Sequence, residues 1–390
     1  MCTEMWVVRV HDVVLWLSTT ASCLDPLLYI YLCREYKDKL DEMMKAVRIC
    51  VGLHSGTVMP STQTSGGDLE CKRHLYLQII VPILYFLMFP LALMLNTVAS
   101  WVSVHLKSTS TFLVYLKNLV AADFIMTLII PIKAASDLPG ASSTLFELSC
   151  NYFRAIYYST QYTCIALLGF ISLDRFFKIM IPQLKFTQNV TFSKVLSGSV
   201  WIILFGGTAL PNILSNGQIS NNRTYTSCMK FKGKNGLKVH GTIVMSLNIF
   251  FWFVSVVITV CYISIANRVI QSFRNSGSNN NQGKQKVKLR VFLIVIVFFV
   301  SFTPYHIYRI PYTILQINQS SKTCPYSIPK LCKELSLWLC STNICMDPLL
   351  YVFLCREFKE KLVSLMKNIF PSFKVDSAAK EEVASTQSRV

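Results

Sequence analysis

Residues 291–316 read VFLIVIVFFVSFTPYHIYRIPYTILQ. An apolar run suited to a bilayer helix continues into a histidine and an arginine, His306 and Arg309. A charge near the middle of a membrane span costs roughly 2.5–3.5 kcal/mol on insertion scales, so Arg309 needs a reason to be there. Phe302, His306, Arg309, Thr313 and Gln316 follow one another in steps of three or four and share one face of a helix. That face is expected to line the inside of a helix bundle rather than touch lipid.

The rest of the chain agrees with a bundle. Of 390 residues, 52% are hydrophobic and only 15% charged, with a mean hydropathy of +0.44. Soluble domains carry about 25% charged residues, so this is a membrane composition. The net charge of +18 is not clustered on a soluble module, and no groove-entering motif is present, which argues against nucleic acid as a partner. The residues from Met1 lack the basic and short apolar regions of a cleavable signal, and targeting is expected to come from a span.

Seven spans are expected after residue 74: 75–103, 112–134, 147–179, 194–215, 238–268, 287–316 and 328–354. The segment 268–290 holds Arg268, Arg274, Lys284, Lys286, Lys288 and Arg290 without an acid, and the segment after the last span carries Arg356, Lys359, Lys361 and Lys367. Excess Lys and Arg marks the cytoplasmic side. The core therefore spans 75–354 with the residues just before 75 outside, and an amphipathic helix and cytoplasmic tail occupy 355–390. Acceptor triplets at Asn222 and Asn318 fall on the outer side and are expected to be glycosylated. Cys71, Cys150, Cys228 and Cys324 fall on the same oxidising side. The pairs Cys150–Cys228 and Cys71–Cys324 are expected, with Cys332 competing for the place of Cys324; sequence leaves the connectivity open.

The first 48 residues are an internal copy. LWLSTTASCLDPLLYIYLCREYKDKLDEMMK (15–45) aligns without gaps to LWLCSTNICMDPLLYVFLCREFKEKLVSLMK (337–367). As a working eighth span, Arg34, Lys37 and Lys39 would put its end in the cytoplasm and invert the core. The reading that avoids this conflict is a fused fragment or a join of two neighbouring genes, followed by a Ser-, Thr- and Gly-rich linker and outer N-terminus over 49–74.

The positive-inside rule does not explain Lys133, Lys230, Lys232, Lys234, Lys238, His240, Arg309, Lys322, Lys330 and Lys333 at the outer ends, faced by few acids: Asp137, Glu147 and Glu334. A basic, enclosed mouth concentrates anions. Tyr158 and Tyr162 stand four apart on the third span, Lys133 enters from the second and Lys333 from the seventh. Guanidinium suits phosphate, lysines add point charge, and tyrosines stack on a flat ring. The set fits a small phosphorylated ligand with an aromatic ring; the bland alternative is a structural Arg309–Glu334 bridge.

At the inner end, LDRF holds Asp174 and Arg175, and DPLLY holds Asp347, Pro348 and Tyr351. Asp123 sits mid-span, and a carboxylate there needs a cation, a proton or hydrogen-bonding partners. Asn343 and Asp347, four apart, are the candidates to supply them, with Na⁺ as the candidate guest and no other cofactor expected.

MLNTVASW, LKNLVAADF, LDRF, FTPYH and DPLLY together resemble the rhodopsin-like G-protein-coupled receptors over roughly 71–367. YLKNLVAADFIMTLIIPIK, RIPYT, KEL and NICMDPLLYVFLC resemble the metabotropic purinoceptors, in the branch recognising ADP or UDP-sugars. The resemblance implies an all-α, seven-transmembrane plasma-membrane receptor. In such a receptor Tyr158 and Tyr162 flank the nucleotide, and Asn212 and His240 reach its base or ribose. Lys232, Arg309, Tyr312, Gln316 and Lys333 hold phosphates. Cys150–Cys228 matches the family's loop-to-helix disulfide, Arg175 engages a heterotrimeric G protein of the inhibitory class, and Pro304 is the hinge of the moving sixth span. The chain departs from the branch at Val244, where asparagine is usual. The expected function is an ADP-like nucleotide receptor. The alternatives are the same fold for a UDP-sugar or an anionic lysophospholipid and, more distantly, a transporter or enzyme. No zinc-ligand helix, glycine phosphate loop, nucleophile elbow or inverted repeat speaks for the last two.

Overall fold

The computed structural model describes residues 67–107, 110–184, 189–214, 228–275, 281–318 and 328–369. The duplicated fragment 1–48, Asn222, Lys322 and Cys324 lie outside these residues, as do the side chains of Cys71, Lys230, Lys234 and Asn318. The described part of the unit Gly67–Val390 is built of helices. They are α1 (Gly67–His105), α2 (Thr111–Asp137), α3 (Arg154–Met180), α4 (Val190–Leu204) and α5 (Lys234–Asn275). Next come α6 (Asn281–Asn318), α7 (Ile328–Ser341 and, past Thr342, Asn343–Leu354) and α8 (Arg356–Ile369).

Local chemistry sets several ends. Ser110 caps α2 by accepting from the Leu113 amide, and Asn189 caps α4 by accepting from Thr191 and Phe192. A short helix, Ser143–Leu148, and a π turn, Ser149–Phe153, lead into α3; a second π turn, Phe205–Ala209, carries α4 on to Leu210–Leu214. Several helices begin earlier than their apolar runs, α1 at Gly67 rather than 75 and α6 at Asn281 rather than 287. Part of the stretch 49–74 is therefore helical backbone. Hydropathy marks where lipid contact ends, whereas the hydrogen-bonded ladder runs on through polar turns in water.

The bundle closes on itself. α1 packs on α2, α2 on α3 and α4, α3 on α5, α5 on α6, α6 on α7, and α7 returns to α1 and α2. Its surface carries large apolar side chains, and its apolar core also encloses polar ones. Leu87 is 71% exposed and Ile202 75%, whereas Asn96, Asp123 and Thr163 are fully buried. Only a hydrocarbon surround makes that arrangement favourable.

Among the described residues, five helices are long and apolar enough to cross a membrane on their own, and the α7–α8 pair, bent by 94°, is so jointly. α3 is not, because its middle reads YYSTQYT (157–163). Most of α3 is buried by its neighbours, so its side chains meet other helices instead of lipid. Close approach is part of this: a Cβ on Gly169 would stand 3.0 Å from Val254 Cγ1 of α5.

Polar side chains join the helices at depth. Trp201 donates to Asn118 (3.1 Å), and Asn96 donates to the Ile344 carbonyl (2.9 Å). Gln161 contacts Cys340 at 2.5 Å, Ser159 and Thr208 share a hydrogen bond, and Tyr157 bonds to Ser341.

Candidate functional site: a buried arginine at the disulfide end

The disulfide Cys150–Cys228 (Cα–Cα 5.4 Å) ties the π turn ahead of α3 to the 3₁₀ turn Cys228–Phe231, which leads into α5. Cys332 of α7 is also disulfide-bonded. The proposed partners Cys71 and Cys324 lie beyond the described side chains.

One face of α6 turns inward as its spacing predicts. Phe302, His306, Arg309 and Thr313 are buried, whereas Ile307 and Ile314 are about half exposed. Arg309 is held by a directed chain. His306 Nδ1 can only donate to the Phe302 carbonyl (2.8 Å), leaving Nε2 to accept from the Tyr162 hydroxyl (2.9 Å). The Tyr162 oxygen accepts in turn from Arg309 Nη1 (2.5 Å). Phe251 of α5 stacks on the His306 ring with centroids 3.6 Å apart, which fixes its plane.

The remaining surroundings of Arg309 are aromatic. Its guanidinium lies 5.2 Å from the Tyr158 ring centroid, 5.3 Å from Tyr305 and 5.4 Å from Tyr162. Among the described residues it has no carboxylate within ion-pair distance. The Arg309–Glu334 bridge is thus not made. A desolvated cation held only by hydroxyl and ring faces keeps much of its attraction for an anion.

Glu334 serves the lysines instead. Its Oε1 meets Lys333 Nζ at 2.8 Å and its Oε2 meets Lys133 Nζ at 3.5 Å, joining α7 to α2. Lys133 also approaches Asp137 (3.4 Å), which pairs with Arg154 of α3 (2.6 Å). Lys333 donates to the Tyr158 hydroxyl (3.1 Å), so Tyr158 connects Lys333 to Arg309. Tyr312 accepts from Gln316 (3.0 Å), and Lys333 lies 5.7 Å from its ring.

A second group gathers on α4, the turn and α5. The Asn212 side-chain oxygen meets His240 Nδ1 at 3.1 Å and Lys232 Nζ at 3.3 Å, and Lys232 also donates to the Asn212 carbonyl (3.2 Å). Partial burial pulls the Lys232 amine down to about 8. His240 lies within electrostatic range of Arg309, Lys232 and Lys333.

The expected residues therefore come together in two linked groups. Sequence reasoning passed over Tyr305, whose ring stacks parallel to Tyr158 (6.5 Å), and Arg154. Arg154 stands four residues before Tyr158, and that helical step was the available signal.

At the opposite end Asp174 is bonded to Thr111 and to Lys178 (2.9 Å), and the Arg175 guanidinium lies 4.0 Å from the Phe112 ring centroid. Pro304 lies within α6 and Pro348 within α7. Between the two ends Asp123 accepts from the Tyr351 hydroxyl (2.6 Å) and contacts the Cys164 thiol (3.5 Å). Asn343 donates to Asp347 Oδ2 (2.7 Å), and Asp347 Oδ1 is buried without a hydrogen bond among the described residues. Among those residues no group of three or more His, Cys, Asp or Glu side chains converges on one point.

Residues 93–351 match the 7 transmembrane receptor (rhodopsin family). The chain is 40% identical over 286 residues to purinoceptor 13 of Homo sapiens, covering 73% of this chain and 80% of that one. It is 36% identical over 306 residues to purinoceptor 14 of Bos taurus (78% and 90% covered). Against G-protein coupled receptor 87 of Mus musculus it is 35% identical over 305 residues (77% and 84%). Extended likeness of this kind, on a closed helical bundle with an apolar exterior, is family membership: the chain belongs to the rhodopsin family of seven-transmembrane receptors, within its metabotropic purinoceptor branch, and is a receptor rather than an enzyme.

Proposed function

We propose that this multi-pass plasma-membrane receptor recognises an extracellular, ADP-like nucleoside diphosphate and signals through an inhibitory-class heterotrimeric G protein. The disulfide end then faces outside and the Arg175 end the cytoplasm, as the basic segments 268–290 and 355–367 support. One observation carries the reading: Arg309 is 5% exposed, fixed by Tyr162, and without a carboxylate among the described residues. Phosphate oxygens match its planar fork. Tyr158, beside Arg309, offers a ring to the nucleotide, Tyr312 stands with the phosphate-holding Lys333, and Asn212 with His240 offers a donor and an acceptor for base or ribose. Ligand contacts above Pro304 bias α6 only if they differ between its two positions, and a buried arginine that gains its counter-ion supplies such a difference.

The test is a G-protein activation assay with a panel of nucleotides, UDP-sugars and lysophospholipids. Arg309→Ala is expected to lower nucleotide potency at least about a hundredfold with surface expression unchanged, since two or more charge-assisted bonds go. Unchanged potency overturns the site, and a response confined to UDP-sugars or lysophospholipids overturns the ligand class. Sodium is the guest proposed for Asp123, Asn343 and Asp347. The carboxyls of Asp123 and Asp347 interact with each other, and Asp347 Oδ1 has no further partner among the described residues, which fits a hard cation shared between them.

A further inference from the structure

The carboxylate of Glu334 stands among the cations assigned to phosphate, and the proposed function gives it no part. Glu334 is a largely buried acid whose two oxygens are divided between two buried lysines on different helices: Oε1 on Lys333 at 2.8 Å, Oε2 on Lys133 at 3.5 Å. Lys133 is only 1% exposed and presents its Nζ 4.5 Å from the Tyr85 ring centroid. Tyr158 stands between Lys333, which donates to its hydroxyl, and Arg309, which lies 5.2 Å from its ring centroid. The carboxylate thus occupies, relative to Lys133 and Lys333, the place that a terminal phosphate would take.

We infer that Glu334 is a specificity-determining residue that counts phosphates, its fixed negative charge admitting a diphosphate at Arg309 and Lys333 and repelling a third phosphate at Lys133. The inference rests on the proposed nucleotide reading. Four cations surround this end of the site (Lys133, Arg154, Arg309, Lys333), and two carboxylates, Asp137 and Glu334, already offset part of that charge. Asp137 is committed to Arg154 at 2.6 Å, whereas Glu334 makes its ion pairs with the lysines a ligand needs. A phosphate added beside Lys133 meets the carboxylate a few ångströms away in a poorly screened site, where like charges strongly oppose binding.

The experiment uses the full chain in lipid nanodiscs. Displacement of a labelled nucleoside diphosphate by the mono-, di- and triphosphate of one base is measured for wild type, Glu334→Gln and Glu334→Asp. Wild type is expected to bind the diphosphate at least as tightly as the triphosphate. Glu334→Gln should improve the triphosphate about tenfold relative to the diphosphate, and Glu334→Asp should keep the wild-type order. A purely structural role would shift all three nucleotides by one factor in Glu334→Gln, and that result overturns the inference. A wild type that prefers the triphosphate overturns it without any variant, so a misfolded Glu334→Gln leaves the question decidable. Absence of any nucleotide displacement from wild type overturns the underlying nucleotide reading, a distinguishable failure.

Discussion

Arg309 shows what a single side chain tells in a membrane. Its cost in hydrocarbon identifies it from sequence, and its step pattern with Phe302, His306 and Thr313 gives its direction. What pattern cannot give is its company: three tyrosine rings and a hydroxyl drawn from α3 and α6 themselves. Lys232 carries a pH test. Its folded value of about 8 lies below that of a free lysine, about 10.4, so between those values the unfolded chain binds more protons and stability rises with pH. Anion affinity runs the other way, because the charged amine is lost as pH climbs through 8. Nucleotide affinity is expected to fall about fivefold from pH 7 to 9. Lys232→Arg should flatten that profile, since guanidinium stays protonated. An equal slope in both proteins would remove Lys232 from the site.

At the scale of elements, α3 is the helix whose reading changes most. Its polar core YYSTQYT would be costly against lipid, and it is tolerated because α2, α4 and α5 pack around it. The same crowding brings Asp123 of α2 against Cys164 of α3 and Tyr351 of α7. The α2–α7 cluster predicts a specific ion effect. Sodium in place of potassium should raise the melting temperature of wild type by a few degrees and leave Asp347→Asn unchanged. Equal responses to both ions in wild type would count against sodium there.

For the whole molecule, the closure of α7 on α1 and α2 is made, among the described residues, within 67–369. Deleting residues 1–60 is therefore expected to leave nucleotide-evoked G-protein activation within about twofold of full length. A lost response would make the duplicated fragment part of the receptor. Seven spans, their motifs and the inward face of α6 were legible in the sequence, because lipid imposes apolarity and a helix imposes its period. Helix ends were less so, since the ladder continues where hydropathy stops, as at Gly67 and Asn281.

The amino-acid order by itself determined a helical bundle in a membrane, with a cation turned into it, because both follow from solvent and local geometry. The pairing of charges was decided only by tertiary structure. Glu334 takes Lys333, its neighbour, and Lys133 from another helix, and leaves Arg309 to the tyrosines. Ion pairing falls off with distances that chain order does not specify, so which acid meets which base is settled where the helices meet.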